Sequence, residues 1–247
     1  MKAMIFAAGL GTRLKPMTDS MPKALVPVAG RPLLWHVLEK LRRSGADEAV
    51  VNVHHFAPMI CKWLADNDMG IKVEISDESG CLLDTGGGIL KAEPLLRGRG
   101  GFLAHNVDIL SNLDIRAFEA AVRPDDLATL VVSDRPTSRY LLFDGEMRMV
   151  GWTNVTTGEV RSPFGDIDPS RCRKLAFAGI HRISDGIFDA FRRYGLEGKF
   201  SITDFYVRAC ADYPVRGYVQ PGFRMLDVGK TDTLAAAEDF LKSMPEA

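Results

Sequence analysis

A short apolar run opens the chain and leads directly into a glycine-bearing, positively charged segment. Residues 3–8 are short and apolar enough for a buried strand. Gly9 and Gly11 then allow a sharp turn and a close approach to a ligand, with freed backbone amides converging on phosphate oxygens. Arg13 adds a planar guanidinium fork and Lys23 a movable point charge. The segment predicts a site for a nucleoside triphosphate.

Two better-known glycine-rich motifs do not match this segment. A dinucleotide-binding fingerprint needs a third glycine where this chain has Leu14, which disfavours a dehydrogenase. A Walker A loop needs Gly-Lys-Ser/Thr after its spacer, and none follows Gly9. The Gly-x-Gly pattern alone favours a tight turn that carries solvated charges, because such short patterns are weakly specific.

Strand and helix patterns alternate after the opening segment. A helix is predicted over 33–44, because apolar residues recur at helical spacing between Pro32 and Gly45. Buried strands are predicted at 49–53 and 71–75, with an amphipathic stretch at 58–66 between them. This alternation is typical of a parallel sheet with helices on both faces, where ligands bind beyond the carboxyl ends of the strands.

From Gly86 onward, glycine-rich and polar segments interrupt the predicted strands and helices. Three successive glycines, Gly86 to Gly88, are expected just ahead of a helix, where they would allow close backbone approach. Asp108 falls at the polar end of an apolar strand, where a carboxylate is either paired or on a metal. The remaining predictions are strands at 101–110, 127–133, 174–183, 215–219 and 223–229, a hairpin at 140–152, a loop or short strands at 153–168, and helices at 184–191, 201–210 and 230–241.

Composition excludes several classes of function. The 247 residues carry a net charge of -1, which argues against a nucleic-acid binder because such proteins need a basic face. No apolar run approaches the roughly 20 residues of a spanning helix, so no membrane association is expected. Four widely spaced cysteines without a Cys-x-x-Cys pair or signal peptide predict reduced thiols in the cytoplasm.

The whole opening stretch closely resembles the signature of the sugar-1-phosphate nucleotidylyltransferases, and within them it is most similar to the N-acetylmuramate-1-phosphate uridylyltransferases. The matching residues are Gly9-Leu10-Gly11-Thr12-Arg13-Leu14-Lys15-Pro16-Met17-Thr18, Pro22-Lys23, Leu25-Val26-Pro27-Val28-Ala29-Gly30-Arg31-Pro32, Asp84-Thr85-Gly86-Gly87-Gly88, Asp108, Phe177-Ala178-Gly179-Ile180 and Leu226-Asp227-Val228-Gly229. The resemblance is weak from about 135 to 173.

This resemblance implies an α/β fold: a Rossmann-like three-layer α/β/α sandwich with a mostly parallel central sheet and a small β insertion. It implies one domain over 1–247, with a nucleotide-binding half at 1–134 and a sugar-binding half at 135–247. The implied reaction joins a sugar 1-phosphate to a nucleoside triphosphate, giving a nucleotide sugar and pyrophosphate. UTP, N-acetylmuramate 1-phosphate and Mg²⁺ are the expected substrates and cofactor, and the protein is expected to be a monomer or homodimer.

The resemblance also implies roles for particular residues. Arg13, Lys23 and Asp108 would be catalytic, and Asp108 and Asp227 would bind the metal. The sugar would contact Asn106, Gly179 and Asp227. The nucleotide would contact Ala8, Gly9, Gly11, Thr12, Arg13, Lys23, Thr85, Gly86, Gly87 and Gly88.

One residue departs from the family pattern, and several alternatives stay open. Val107 stands where the family usually has glycine before the metal-binding Asp108, and valine restricts the backbone. A guanylyl- or cytidylyltransferase acting on another sugar phosphate or on phosphocholine shares the opening signature. A non-catalytic nucleotide-sugar binding module is the alternative that Val107 motivates, although retention of the two carboxylates argues against it.

Other polar residues are weaker candidates for the site. Asn52, His54 and His55 lie at the end of a predicted strand and could contact substrate, although adjacent strand residues point to opposite faces. Arg139 and Arg161 lie in the region where sugar specificity would be set, but the sequence assigns them no role.

Overall fold

The computed structural model describes residues 1–244, so the last three residues of the expected domain at 1–247 lie outside the described residues. The strands are β1 (Lys2–Phe6), β2 (Pro27–Val28), β3 (Arg31–Pro32), β4 (Glu48–Val53), β5 (Lys72–Asp77), β6 (Gly101–Asn106), β7 (Ile109–Ser111), β8 (Ala128–Ser133), β9 (Arg139–Phe143), β10 (Met149–Asn154), β11 (Glu159–Arg161), β12 (Arg173–Ser184), β13 (Val215–Tyr218) and β14 (Met225–Asp227). The helices are α1 (Leu33–Arg43), α2 (Ala57–Asp66), α3 (Asp84–Lys91), α4 (Glu93–Leu96), α5 (Ile115–Ala121), α6 (Gly186–Arg193), α7 (Ile202–Ala209) and α8 (Thr231–Lys242).

A mostly parallel sheet forms the centre of the molecule. Its strand order is β5-β4-β1-β6-β12-β8-β13, and β12 alone in this run is antiparallel to its neighbours. The amino-terminal residues of β12 leave the central sheet and pair with β9, which continues into β10 and β11 as an antiparallel extension. This extension is the small β insertion that the sequence predicts, and its β9–β10 turn contains the expected Asp144-Gly145.

The hydrophobic core divides into two clusters, one on each face of the sheet. Successive residues of β1 alternate between them: Ala3 and Ile5 belong to one cluster and Met4 to the other. Apolar residues of α1, α2, α5 and α8 pack with the first cluster, and those of α3, α4, α6 and α7 with the second. Successive residues of a strand point to opposite faces of the sheet. Because side chains on both faces are buried here, a layer of helices must cover each face. The three-layer α/β/α sandwich is therefore confirmed.

Local signals explain where several helices begin and end. Helix α1 starts directly after Pro32 and ends ahead of Gly45, whose φ of 93° suits only glycine, as predicted. Helix α7 begins after Ser201, whose hydroxyl accepts from the Asp204 amide. Asp185 precedes α6 but makes no capping hydrogen bond to it, and its carboxylate accepts instead from the amides of Gly98 and Gly100.

Two sequence predictions are corrected at the centre of the molecule. The apolar run at 101–110 is not one strand: it breaks into β6 and β7, and Val107 and Asp108 form the turn between them. Gly86 to Gly88 do not precede a helix but lie inside α3. Both differences arise from tertiary packing, since β7 pairs with β14 and α3 packs against the segment before α7.

Candidate active site

A cleft of about 450 Å³ opens beyond the carboxyl ends of β1, β4 and β6. We call it the glycine-loop cleft. It lies where the sequence places it, because neighbouring parallel strands end at one edge of the sheet. Its lining residues are 6–13, Lys23, Asn52, Glu78, Leu82, Asp84, Thr85, 106–108, Lys199 and Gly229.

The loop after β1 is held by the side chain of Asn52, which is 2% exposed. Its Oδ1 accepts from the amides of Ala7 at 2.7 Å and Ala8 at 3.2 Å, and its Nδ2 donates to Glu78 Oε1 at 2.7 Å. Glu78 is fully buried, and its other carboxylate oxygen accepts from the Leu83 amide. Asn52 thus ties the loop to the segment before α3.

The two loop glycines have different structural roles. Gly11 has a φ of 64°, and a Cβ there would lie 2.9 Å from Thr18 Cγ2 and 3.0 Å from Lys23 Cβ. Gly9 has no such constraint: its φ lies outside the left-handed region, and a Cβ would meet no atom within 4 Å. Gly11 is therefore required by the fold, whereas Gly9 leaves open space in the cleft.

Lys23 and Asp108 face each other across the cleft. Lys23 is 8% exposed and lies in a short 3₁₀ turn, and its Nζ donates to Asp108 Oδ2. Because both groups are charged and partly shielded from water, this contact is stronger than a surface ion pair. The pair places a cation and a carboxylate at the carboxyl end of β6.

Asp227 lies beside Asp108, as the resemblance predicts for two metal-binding carboxylates. In the β14–β7 ladder Asp227 is opposite Ile109, and the amide of Val228 donates to the Asp108 carbonyl at 2.8 Å. The Asp227 side chain reaches solvent, yet loss of solvation and, next, the Asp108 charge raise its pKa. Arg13 also lies here, because both its guanidinium and the Asp227 carboxylate pack against Gly229.

This donor set fits Mg²⁺, which prefers oxygen ligands and commonly takes one or two carboxylates together with substrate phosphates. Within residues 1–244, no cluster of three or more His, Cys, Asp or Glu side chains is arranged to hold a metal ion. The remaining ligands of a metal at Asp108 and Asp227 would be water molecules or phosphate oxygens of a substrate.

The triple-glycine helix packs against the chain before α7. The amides of Gly86 and Gly87 donate to the Phe200 carbonyl, and a Cβ on Gly86 would lie 2.3 Å from the Phe200 ring. Thr85 Oγ1 accepts from the Ile202 amide at 3.0 Å. Gly86 and Gly87 therefore make their close approach to residues 198–200, whereas Gly88 makes its close approach to Glu78 and Asn52. Contact of these glycines with a nucleobase stays a prediction. Thr85 itself lines the cleft.

Gly179 and Asn106 contact each other at the edge of the glycine-loop cleft. Gly179 has a φ of 72° at an irregularity of β12, and a Cβ would lie 2.6 Å from Asn106 Nδ2. Asn106 lines the glycine-loop cleft. The two expected sugar contacts are thus neighbours, and glycine is needed here for its backbone angle as well as for space.

Val107 is accommodated without the strain that its departure from the family pattern suggests. Its φ is not among the positive values found in residues 1–244, and its side chain is 4% exposed in the hydrophobic core. Its amide donates to the Phe6 carbonyl at the end of β1. The turn that carries Asp108 is therefore compatible with valine.

The structure also brings in residues that the sequence did not single out. Glu78 supports Asn52, and Lys199 and Asp84 line the cleft. Asp84 has a φ of 60°, which is uncommon for a residue other than glycine. No local pattern separates Lys199 from other surface lysines. His54 and His55 do not line the cleft, and His54 Nδ1 donates to the Glu78 carbonyl at 2.6 Å.

Comparisons with known proteins identify the family of this chain. A family model described as nucleotidyl transferase matches residues 2–141. N-acetylmuramate alpha-1-phosphate uridylyltransferase of Caulobacter vibrioides is 34% identical over 245 residues, covering 96% of this chain and 95% of that protein. The chain therefore belongs to the nucleotidyl transferase family, in the group of the sugar-1-phosphate nucleotidylyltransferases.

Two further relatives bear on substrate and fold. Mannose-1-phosphate guanylyltransferase 1 of Arabidopsis thaliana is 35% identical over 119 residues, covering 47% of this chain and 33% of that protein. The crystal structure of HddC from Yersinia pseudotuberculosis aligns with a TM-score of 0.75 at 21% identity, covering 97% of this chain and 99% of that chain. The structural likeness supports the Rossmann-like fold, and the relatives differ in base and sugar.

Two further findings concern membrane-spanning helices and the state of the cysteines. None of the helices within residues 1–244 has the length and apolarity needed to span a membrane. The four cysteines, all described, are free thiols.

Proposed function

We propose that this protein transfers a uridylyl group from UTP to N-acetylmuramate 1-phosphate, releasing pyrophosphate. The observation that carries the proposal is the meeting of Lys23 and Arg13 with Asp108 and Asp227 at the carboxyl end of the parallel strands. The relative from Caulobacter vibrioides, which this chain matches over nearly its whole length, supports the choice of base and sugar.

The chemistry needs positioning and charge neutralisation more than a strong base. A phosphate oxygen of the sugar 1-phosphate is already ionised near neutral pH, and it attacks the α-phosphorus of UTP. A new P–O bond forms, the bond to the bridging oxygen breaks, and pyrophosphate leaves with the electron pair. A site with cations and carboxylates, but without a nucleophile–base pair, suits this reaction.

Each residue of the site then has a role. Arg13 would hold the β- and γ-phosphates, and Lys23 would neutralise charge between the α-phosphate and the incoming phosphate. Asp108 and Asp227 would hold Mg²⁺, which supplies further charge neutralisation to the triphosphate when bound. Backbone of the loop from Ala8 to Thr12 and the side chain of Thr85 would contact the nucleotide, and Asn106 and Gly179 the sugar.

A guanylyltransferase is the second candidate, because the mannose-1-phosphate guanylyltransferase from Arabidopsis thaliana is 35% identical over 119 residues. We also propose that the enzyme is cytoplasmic, because free thiols are the normal state of cysteine in a reducing compartment. As the family resemblance implies, we propose that it is a monomer or a homodimer.

The test is pyrophosphate release with Mg²⁺, crossing UTP, GTP, CTP, dTTP and ATP against a panel of sugar 1-phosphates. We expect the highest kcat/KM for UTP with N-acetylmuramate 1-phosphate. Preference for GTP with mannose 1-phosphate would support the second candidate instead. Nucleotide binding that ignores Mg²⁺, with no pyrophosphate from any pair, would identify a non-catalytic module.

A further inference from the structure

A second cleft, of about 480 Å³, lies between the β9–β11 extension and the start of α7. We call it the arginine cleft, because Arg135, Arg139 and Arg161 all line it. Trp152 and Phe177 supply its apolar surface. Neither the phosphate chemistry nor the loop after β1 requires this cleft.

The arginine cleft adjoins the glycine-loop cleft along two segments. On one side Phe177 lines the arginine cleft, and two residues later Gly179 packs against Asn106 of the glycine-loop cleft. On the other side Ser201 lines the arginine cleft and Lys199 the glycine-loop cleft. A sugar whose phosphate lies near Asp108 and whose ring lies near Gly179 would therefore extend toward the arginines.

One of the three arginines is already committed to protein partners. Arg161 Nη1 donates to Asp204 at 2.8 Å, and its Nε lies 3.3 Å from Glu159. Its guanidinium also stacks 4.0 Å above the Trp152 ring. These contacts neutralise Arg161 and hold it as part of the wall.

The other two arginines form no ion pair among residues 1–244. Among residues 1–244 the Arg139 guanidinium has neither a hydrogen bond nor an ion pair. Arg135 donates to the Phe177 carbonyl at 3.1 Å, and its positive charge also acts on Asp227, where it opposes the rise in the pKa of that carboxyl. The cleft therefore presents two guanidinium groups that form no ion pair within residues 1–244.

We propose that the arginine cleft receives a carboxylate substituent of the acceptor sugar, held by Arg139 and Arg135, so that the enzyme selects acidic sugar 1-phosphates. A guanidinium fork matches a carboxylate in geometry and charge. N-acetylmuramate carries such a carboxylate on a lactyl ether, and N-acetylglucosamine is the same sugar without that ether. The inference rests on the proposed function and adds the residues that set its sugar specificity.

The first test compares these two sugar 1-phosphates with UTP in the wild type and in Arg139→Gln. We expect the variant to lower kcat/KM for the acidic sugar by about ten- to a hundredfold, the value of one charge-assisted hydrogen bond. The value for the neutral sugar should stay within about twofold. Arg123→Gln, an exposed arginine outside both clefts, is the matched control and should change neither. An equal fall for both sugars, or no fall, would overturn the proposal.

A binding measurement separates this proposal from the proposed function. Calorimetry of the whole protein with UDP-N-acetylmuramate and UDP-N-acetylglucosamine needs no turnover. Tighter binding of the acidic nucleotide sugar by the wild type, lost in Arg139→Gln and reversed in Arg139→Glu, would support the cleft assignment even if pyrophosphate release failed. Equal affinity of the wild type for both would refute it even if the enzyme proved active.

Discussion

At the scale of single residues, Asn52 is the side chain on which the glycine loop depends. Replacing Asn52 with Ala leaves two loop amides and one oxygen of buried Glu78 without partners. We expect a loss of about 2–4 kcal/mol in the free energy of unfolding, since each buried unpaired group costs about 1–3 kcal/mol. The KM for the nucleotide should rise more than kcat falls, because the loop loses its support.

Urea unfolding and steady-state kinetics measure the two effects of Asn52→Ala. Asn67→Ala is the control, because the Asn67 amide makes one hydrogen bond at the end of α2 and is remote from the cleft. It should cost about 1 kcal/mol or less. Similar unfolding curves for the two variants would contradict the role of Asn52.

The two loop glycines offer a matched pair of substitutions. Gly11→Ala should destabilise the protein by about 1–3 kcal/mol, because the backbone is left-handed and Cβ would press on Thr18 and Lys23. Gly9→Ala should change the free energy of unfolding by no more than about 0.5 kcal/mol, since it meets open space. Thermal unfolding followed by circular dichroism distinguishes them, and an equal loss in both would show that the loop has another conformation.

At the scale of elements, the sequence predicts most strands and helices because their apolar periodicity and end signals are local. Helix α1 and strands β4 and β5 lie close to their expected ranges for that reason. The break between β6 and β7 could not be predicted, because it depends on the pairing of β7 with β14, more than a hundred residues away. A continuous apolar run predicts a single strand, and only the strand that pairs with it shows where it breaks.

The same distinction between local and long-range signals applies to the residues of the candidate site. The loop segment and Asp108 could be expected from local patterns, because each places a residue type suited to phosphate or metal at the end of an apolar strand. Asp227 is expected only from the family resemblance, and the roles of all three stay predictions. The fixing of the loop by Asn52 and Glu78 could not, because their contact joins the ends of two neighbouring strands. The sequence also could not show that Arg139 forms no ion pair within residues 1–244. Only the fold shows that Asp204 and Glu159 pair with Arg161 and not with Arg139.

At the scale of the whole molecule, two buried histidines make stability depend on pH. His105 and His181 are 0% and 1% exposed on neighbouring strands, and burial lowers their pKa values to about 4 and about 3. The unfolded chain, with a histidine pKa near 6.5, therefore binds protons that the folded protein cannot. Stability is full above pH 6.5 and should fall as the pH drops below it, by about 1.4 kcal/mol per pH unit for each histidine.

Urea unfolding at pH 7.5, 6.0 and 5.0 measures this decline before most carboxylates titrate. His181→Gln, which can keep the hydrogen bond to the Tyr206 hydroxyl, should reduce the slope by about one proton. A free energy of unfolding that is flat or rises between pH 6.5 and 5 would contradict the account.

The central claim is that nucleotidyl transfer takes place where Lys23 meets Asp108, and Asp108→Asn tests it most directly. The variant keeps the shape of the side chain but removes the charge that would hold Mg²⁺ and that balances Lys23. With UTP, N-acetylmuramate 1-phosphate and Mg²⁺, we expect pyrophosphate release to fall by about a hundredfold or more while the circular dichroism spectrum is unchanged. Asp19→Asn, which alters an exposed carboxylate beside the same loop, should retain wild-type turnover. Near-normal turnover by Asp108→Asn would contradict the assignment of this cleft as the active site.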